Sequence, residues 1–260
     1  MPPARAALYA LSLAALVLAA RAAIAAPPPL AVALLFVAAY GALLLSGVFT
    51  LRLRMFADAV VKGPAGAEGV ALTFDDGPDP ETTPAVLDEL DRAHARATFF
   101  VIGRKAEAHE ELVREMVRRG HAVGLHSYAH DRLFALRSAA RVRADLARGL
   151  EVLERIVGSR VQLFRPPVGH TNPIIARVAD ELDLVVVGWS VSGRDGISRA
   201  EPEAVAKRIR HGLRDGAIVL LHDAAERGGR VPAGVRALGK VLGAIEEARL
   251  RVVPLDGWVE

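Results

Sequence analysis

The sequence contains no cysteine among its 260 residues, and aromatic residues make up only 5% of it. Without cysteine the chain has no disulfide framework and no thiolate nucleophile. Basic and acidic side chains nearly balance, at 33 and 30, and the arginines alternate with acidic residues along predicted helices. That pattern is typical of solvated helix faces, so we expect no nucleic-acid partner.

Hydrophobic residues reach 52% of the chain, and the excess lies near the N-terminus. The run from Leu30 to Leu51 carries no charge and is long enough to span a bilayer. An apolar stretch from Ala6 to Ala20 precedes it across Pro27-Pro28-Pro29. This first stretch is either another span, giving a helical hairpin, or a signal-like segment ending near Ala23-Ile24-Ala25. Because a strong apolar run follows it, we favour the hairpin.

The sequence therefore predicts an integral protein of the cell membrane. We expect residues 1–54 to be a membrane anchor of two transmembrane helices, 55–68 a linker, and 69–260 the catalytic domain. Arg5 before the pair and Arg52 and Arg54 after it outnumber Arg21 near the bend, which biases the termini weakly to the cytoplasm. A polymer substrate outside the membrane would instead require an extracytoplasmic catalytic domain. We expect the extracytoplasmic placement, and both orientations stay open at this point.

Beyond residue 69 the chain alternates strand-like and helical patterns, which predicts βαβ units and a parallel sheet. Seven strands in this length favour an α/β fold with a distorted, incomplete (β/α) barrel, with a doubly wound open sheet as the alternative. The predicted strands are Val70–Phe74, Ala97–Ile102, His121–His126, Val161–Phe164, Leu184–Val191, Ala217–His222 and Arg251–Leu255. Helical patterns lie between them, among them Arg104 to Arg119.

The first predicted strand ends at two adjacent carboxylates, Asp75 and Asp76, followed by the turn Gly77-Pro78-Asp79-Pro80. Two acids at the end of a buried strand are costly unless a cation or a basic partner pairs with them. His126 and His130 follow the third strand at a ligand-like spacing. With one carboxylate they would form a two-histidine, one-carboxylate face for a divalent metal ion.

The fourth, fifth and sixth predicted strands lead to further polar residues, and parallel barrels build their active sites at that edge. One carboxylate would bind the metal and the other would act as general base toward the metal-activated water. Arg165 is the counter-charge for that base, and His222 the general acid. Asp195 is either the partner of His222 or a turn residue. Leu220 and Trp189 either line an acyl pocket or belong to the core.

Five ordered motifs resemble those of the polysaccharide deacetylases, the NodB-homology group called carbohydrate esterase family 4. They are Thr73-Phe-Asp-Asp-Gly-Pro78, Ala97-Thr-Phe-Phe-Val-Ile-Gly103, His126-Ser-Tyr-Ala-His130, Arg165-Pro-Pro-Val-Gly169 and Leu220-Leu-His222. The resemblance covers about residues 69–255. It implies an incomplete NodB-like barrel and a divalent metal, most often Zn²⁺, with Co²⁺, Ni²⁺ or Mn²⁺ as alternatives.

The resemblance also implies a role for each matching residue. Asp75 would be the base, with Arg165 tuning it, and His222 the acid, with Asp195 as its partner. Asp76, His126 and His130 would bind the metal, Leu220 would line the acetyl pocket, and the Val168 N–H would stabilise the oxyanion. The family often has tyrosine where Val168 stands, and an Asp-Trp pair where this chain has Asp195-Gly196. Both departures remove aromatic walls from the substrate groove.

The sequence thus predicts a hydrolase acting on carbon–nitrogen bonds other than peptide bonds. Its substrate would be an amino sugar of a glycan, from which it removes an N-acyl group, most often N-acetyl. The predicted membrane anchor and the small number of aromatic residues at the groove are also consistent with an alternative function. In that alternative the protein is a deformylase or deacetylase that acts on a polyprenyl-linked sugar. A non-catalytic carbohydrate-binding member of the family is the third alternative.

Overall fold

The computed structural model describes residues 1–25, 27–197 and 199–259. An apolar helical pair comes first, and strands and helices alternate after it. The helices are α1 (Pro3–Ile24), α2 (Leu30–Phe49), α3 (Thr83–Arg92), α4 (Gly103–Ala108), α5 (Glu110–Arg118), α6 (Ala139–Val157), α7 (Pro173–Glu181), α8 (Pro202–Gly212) and α9 (Ala233–Glu247). The strands are β1 (Val70–Asp75), β2 (Thr98–Val101), β3 (Ala122–Leu125), β4 (Leu163–Phe164), β5 (Val185–Val186), β6 (Val191–Ser192), β7 (Ala217–His222) and β8 (Val252–Val253).

The strands form one parallel sheet in the order β5-β4-β3-β2-β1-β7-β6, and β8 pairs with the beginning of β1. Strands β5 and β6 lie at opposite ends of this order, yet only residues 187–190 separate them in the chain. The two edges of the sheet must therefore lie close together. The sheet is a curled, incomplete barrel of the NodB type, which confirms the predicted fold class.

One predicted strand is divided in the structure. The sequence run Leu184–Val191 forms β5 and β6 because the chain changes partners between them. Gly188 N donates to Val60 O at 2.8 Å, and Ser190 N donates to Ile218 O at 3.0 Å. The predicted helix Arg104–Arg119 is likewise two helices, α4 and α5, which meet at His109 with a non-helical φ of −135°.

The sheet buries apolar side chains on both faces, as expected of a parallel sheet covered by helices. The larger core lies between the sheet and the outer helices, and includes Phe74, Phe99 and Leu146. A smaller core fills the barrel interior, and its buried members are Ala71, Phe100, Leu163, Val187, Ile218 and Leu255. The interior is closed at one end by this apolar layer. The polar residues lie at the carboxyl ends of the strands.

Helices α1 and α2 are each long and apolar enough to cross a membrane. They contact through Ser12 and Tyr40, whose hydroxyl oxygens lie 2.8 Å apart. Arg5, at the start of α1, donates to Met55 O at 3.1 Å and to Arg54 O at 3.2 Å, just after α2. The beginning of α1 and the end of α2 therefore lie on the same side, next to the α/β domain.

The stretch predicted as a linker packs onto the domain. Met55, Ala57 and Ala59 are buried, and Val60 N donates to Val186 O at 2.8 Å. This short pairing extends the edge of the sheet beyond β5. The division at residues 54 and 68 stays a prediction.

Candidate active site

Two neighbouring strands, β1 and β7, carry the first pair of polar residues. Their parallel register sets Thr73 opposite Leu220 and Asp75 opposite His222. Because side chains alternate along a strand, these four point to the same face of the sheet, toward the barrel interior. Register and alternation together place an acid and a histidine side by side at the carboxyl end of the sheet.

Arg165 follows β4 and reaches across the barrel to Asp75. Its guanidinium is fully buried and donates to Asp75 Oδ1 at 2.7 Å, Thr73 Oγ1 at 2.9 Å and Gly188 O at 3.0 Å. It also lies 4.1 Å from the ring centroid of Phe100. Burial alone would raise the pKa of Asp75, but the charge and hydrogen bond of Arg165, together with the charges of His126 and His222, hold that pKa below its usual value. Asp75 is therefore ionised, with Oδ2 not engaged by the arginine.

Asp76, His126 and His130 form a group that can hold a metal ion. Asp76 Oδ1 lies 3.6 Å from His126 Nε2 and 3.3 Å from His130 Nε2, and all three ligand atoms lie within 4.8 Å of one another. Asp76 Oδ1 is buried and makes no hydrogen bond to any described residue. A buried carboxylate oxygen without a donor is costly, so this donor set fits a bound cation. The predicted Asp–His–His group is present, and the identity of the metal stays a prediction.

Both histidines favour the neutral form, and His126 presents an unprotonated nitrogen to this point. His126 Nδ1 lies 2.7 Å from Arg165 O, and a carbonyl can only accept, so Nδ1 carries the proton and Nε2 is free. Burial lowers the pKa of His126, and it lowers the pKa of His130 to about 4. Neutral imidazoles are the form that binds a metal ion.

The loop between the two histidines is held by side-chain hydrogen bonds. Asp145 of α6 accepts from Tyr128 N at 2.8 Å and from Ala129 N at 3.1 Å. Ser127 Oγ accepts from His130 N at 2.9 Å. Ser127 and His130 have positive φ values of 61° and 50°, which fold the loop so tightly that both imidazoles face Asp76.

His222 is bound twice by Asp195. Asp195 Oδ2 accepts from His222 N at 2.8 Å, and Oδ1 lies 3.0 Å from His222 Nδ1. Burial would lower the pKa of His222, but the hydrogen bond and charge of Asp195, with Asp76 and Asp75, raise it to about 9. His222 is therefore an imidazolium at neutral pH in the absence of a bound cation. Its Nε2 lies 4.0 Å from Asp76 Oδ2.

These groups surround one cavity of about 370 Å³. Val168, Trp189 and Leu220 form part of its wall, beside Asp75, Asp76, His126, His130 and His222. Val168 is 44% exposed and has a φ of 52°, which is rare for a β-branched residue. Such conformations cluster at functional sites. The structure thus brings all ten sequence-predicted residues together, with Arg165 and Asp195 contacting the cavity residues Asp75 and His222.

Sequence reasoning missed several residues around this cavity. The segment after β7 folds over it and contributes Glu226, Arg227 and Arg230, and Arg132 approaches from the histidine loop. Lys105 Nζ donates to Asp76 O and to Ala225 O, each at 2.7 Å, and so joins the two loops. No periodicity or motif marks these residues, because they lie in irregular loops whose position depends on the complete fold.

A larger cleft, of about 750 Å³, lies at the ends of α3 and α9 near β8. Its polar lining consists of helix-end residues such as Glu89, Arg92 and His94, and its described residues include no metal-binding group. We assign the active site to the smaller cavity because the titratable groups converge there.

Comparisons with known proteins identify the family of this chain. The family model for polysaccharide deacetylase matches residues 62–187. A peptidoglycan-N-acetylglucosamine deacetylase of Bacillus cereus is 35% identical over 196 residues, 74% of this chain and 89% of that protein. A chitooligosaccharide deacetylase of Sinorhizobium fredii is 37% identical over 164 residues, 63% of this chain and 76% of that protein.

The fold is similar to that of a solved peptidoglycan N-acetylglucosamine deacetylase, with a TM-score of 0.70 and 31% identity, covering 76% of this chain and 91% of that one. These relatives are named as deacetylases, hydrolases of carbon–nitrogen bonds other than peptide bonds, which confirms the predicted enzyme class. The sheet topology, the Asp–His–His group and the matches in sequence agree. The chain belongs to the polysaccharide deacetylase family.

Proposed function

We propose that this protein is a metal-dependent hydrolase that removes an N-acyl group, most often acetyl, from an amino sugar. One observation carries the proposal. Asp75, paired with Arg165, and His222, paired with Asp195, line one cavity together with the Asp76–His126–His130 group. An anionic base, a cationic acid and a metal-binding group in one cavity are the groups that metal-assisted amide hydrolysis by water uses.

Asp76, His126 and His130 would hold the metal. A divalent ion bound there, such as Zn²⁺, would act as a Lewis acid and lower the pKa of a coordinated water. Asp75 is the general base. Arg165 holds Oδ1, so Oδ2 accepts the proton when a water oxygen attacks the acyl carbon. The buried arginine keeps the carboxylate ionised and fixes its orientation at the same time.

His222 is the general acid on the other side of the bond. As the bond between the acyl carbon and the sugar nitrogen breaks, His222 Nε2 gives its proton to the nitrogen, so the products are a free amine and a carboxylate. Asp195 holds the other ring nitrogen and favours the protonated imidazole. The Val168 N–H is proposed to donate to the developing oxyanion, and Leu220 and Trp189 to enclose the acyl methyl.

The substrate is proposed to be a glycan containing N-acetylated amino sugars, by analogy with the peptidoglycan and chitooligosaccharide deacetylases described above. Val168 and Gly196 line this cavity at positions where aromatic side chains would pack against a polymer. Two substrate classes therefore remain as candidates, a wall glycan and a polyprenyl-linked amino sugar.

The helical pair is proposed to anchor the enzyme in the cell membrane. Its support is the length and apolar composition of α1 and α2, together with exposed side chains such as Leu16, Leu30 and Leu35. We propose that the catalytic domain lies on the extracytoplasmic side, where wall glycan is found.

The test is amine release by the full chain in lipid nanodiscs. Substrates are N-acetylglucosamine oligomers, peptidoglycan fragments and a polyprenyl-linked N-acetylated sugar, with chelator and then with added Zn²⁺. We expect chelator to abolish release and Zn²⁺ to restore it. Asp75→Asn should lower kcat by about 10²- to 10⁴-fold while Zn²⁺ still binds. Asp180→Asn, an exposed change on α7, serves as the matched control.

A carbohydrate-binding protein without catalysis predicts a different outcome. It would bind the glycan with similar affinity before and after Asp75→Asn and would release no amine from any substrate. That result, obtained with Zn²⁺ bound and the fold intact, would contradict the proposed hydrolase.

A further inference from the structure

A second cavity, of about 280 Å³, adjoins the catalytic one. The two share Gly169 and Trp189 as a common wall. The rest of its lining comes from the end of α2 and from the chain around β6, and consists of Phe49, Thr50, Leu51, Arg52, Ser190, Ser192 and Arg194. A ligand in this cavity would therefore contact the proposed anchor on one side and the wall of the active site on the other.

The lining of this cavity is cationic. Arg52 and Arg194 are both exposed, and no described carboxylate lies within 4 Å of either guanidinium. None of the lining residues is acidic. Ser192 Oγ accepts from Arg194 N, which leaves its hydroxyl proton free to donate. Two guanidinium groups with a hydroxyl donor form a set suited to a phosphate, because arginine pairs with phosphate oxygens in a bidentate manner.

The cavity lies at the level where α2 ends. Thr171 N donates to Val48 O at 3.1 Å, and the ring of Phe49 packs edge-on against His170 with centroids 4.8 Å apart. The last turn of α2 is thus fixed to the loop that carries Val168. If α2 crosses the bilayer, its end marks the membrane surface, and a lipid in that bilayer would present its headgroup at this cavity.

We propose that this second cavity binds the phosphate of a lipid-linked amino sugar whose acylated ring occupies the catalytic cavity. The inference rests on the proposed deacetylase function and selects one of its two substrate classes. The shared wall at Gly169 and Trp189 allows one ligand to reach both cavities. An uncharged oligosaccharide of N-acetylglucosamine offers Arg52 and Arg194 no charge to pair with. A phospholipid headgroup has the same phosphate chemistry but would bind without reaching the active site.

The test compares two lipids in phosphatidylcholine nanodiscs that contain the full chain. One carries N-acetylglucosamine through a phosphate on a polyprenyl chain, and the other carries it as a glycoside of the same chain without phosphate. We expect kcat/KM to favour the phosphate-bearing lipid by at least about tenfold, since hydrogen bonds between charged groups contribute more than neutral ones. In Arg52→Gln/Arg194→Gln this preference should fall about tenfold. Arg141→Gln/Arg236→Gln, which removes two exposed arginines from α6 and α9, should retain it.

Equal turnover of the two lipids by the unaltered protein would overturn the inference. So would an equal loss on both lipids in the double variant, because the arginines would then act on both lipids alike, as contacts to a phospholipid headgroup would. Turnover of N-acetylglucosamine oligomers without turnover of either lipid would overturn it and leave the proposed deacetylase standing. No turnover of any substrate would contradict both.

A separate observation concerns the metal ligand His130. Its Nδ1 faces Glu226 Oε1 at 3.3 Å, and neither of these buried atoms makes a standard hydrogen bond to a described residue. The other carboxylate oxygen, Glu226 Oε2, accepts from Arg132 Nε at 2.6 Å. If His130 Nε2 binds the metal, Nδ1 carries the proton, and Glu226 is the group placed to accept it.

We infer that Glu226 is a positioning residue that orients His130 and strengthens it as a ligand. Arg132 in turn holds Glu226. Such carboxylate–histidine pairs behind a metal typically change its affinity by about 10- to 100-fold. The inference uses residues of this chain alone and is testable without measuring turnover.

The experiment is a competition titration of the full chain in nanodiscs with Zn²⁺ and a chromophoric chelator. Glu226→Gln should weaken Zn²⁺ binding by about 10- to 100-fold, and Glu226→Asp should recover part of that loss. Arg132→Gln, a change at a side chain 66% exposed, should give a smaller loss with the fold intact. Glu151→Gln, on the exposed face of α6, is the control. Affinities of Glu226→Gln and Arg132→Gln both within twofold of the unaltered protein would overturn the inference.

Discussion

His222 and Asp195 contact each other through two separate hydrogen-bonding pairs. One carboxylate oxygen accepts from the His222 backbone N–H at 2.8 Å, and the other lies 3.0 Å from the ring Nδ1. The backbone bond fixes the carboxylate, and the side-chain bond fixes the ring. The same aspartate therefore sets both the position and the charge of the proposed acid.

Replacing this aspartate should alter the pH profile of the enzyme. Without a bound cation the pKa of His222 is raised to about 9, so the imidazolium loses its proton as the pH rises through that value, and activity should fall with that loss. A bound cation disfavours the imidazolium, so the alkaline limb of kcat should lie below 9 when metal is present. Asp195→Asn should move this limb to lower pH and reduce kcat by about 10²-fold. An alkaline limb at the same pH in the two proteins would show that Asp195 does not set the charge of His222.

Loss of the buried arginine should destabilise the fold as well as the site. Arg165→Met leaves Asp75 as a buried carboxylate without its counter-charge, and we expect about 3–5 kcal/mol less free energy of unfolding. The double variant Asp75→Asn/Arg165→Met should lose less than Arg165→Met alone, because no unpaired charge remains. Urea unfolding, monitored by tryptophan fluorescence, measures the free energy of unfolding of the single and the double variant. Additive losses would indicate that the pair is not coupled.

A pair of glycine substitutions separates packing at the site from helix propensity. At Gly169 an added Cβ would lie 2.4 Å from Trp189 Cη2, and the φ of +70° is unfavourable for alanine. Gly169→Ala should displace Trp189 and lower kcat/KM. Gly243 on α9 has nothing within 4 Å of an added Cβ, so Gly243→Ala should raise the free energy of unfolding by about 0.5–1 kcal/mol. Thermal unfolding and amine release are measured on both variants. Equal effects of the two substitutions on stability and on kcat/KM would contradict the prediction.

The membrane orientation can be measured cleanly because the chain contains no cysteine. Arg5 joins the start of α1 to the end of α2, so a hairpin places Glu68 and Arg21 on opposite sides of the bilayer. In intact cells, we expect a membrane-impermeant maleimide to label Glu68→Cys and to leave Arg21→Cys unlabelled. The reverse pattern would place the catalytic domain in the cytoplasm. Labelling of both would exclude the hairpin.

The ends of the strands could be predicted from the sequence because they depend on the local pattern of apolar and polar residues. The run ending at Asp75 is a buried strand by its apolar residues, and the alternation of β1 and β7 decides which side chains face inward. The division of Leu184–Val191 into β5 and β6 was not predictable in this way. It depends on Val60 and Ile218, partners distant in sequence that exist only once the sheet has curled.

For the same reason, the residues that cover the site could not be predicted from the local sequence pattern. Glu226 follows β7 by four positions in an irregular segment, and its neighbours in the sequence give no periodicity. Only the folded path of that segment brings it to His130. Likewise, the linker prediction for residues 55–68 depends on Gly63-Pro64-Ala65-Gly66, but Met55 and Ala59 are buried because the open edge at β5 accepts Val60.

The parallel register of β1 and β7 limits which parts of the active site can diverge in evolution. Asp75 and His222 lie opposite each other on strands joined by main-chain hydrogen bonds, so their separation belongs to the backbone and not to any loop. The walls of both cavities come mostly from loops, including those around Val168, Arg194 and Glu226. Loop sequences can therefore diverge and change which acylated sugar the enzyme accepts. The distance between the proposed base on β1 and the proposed acid on β7 stays the same, because the sheet fixes it.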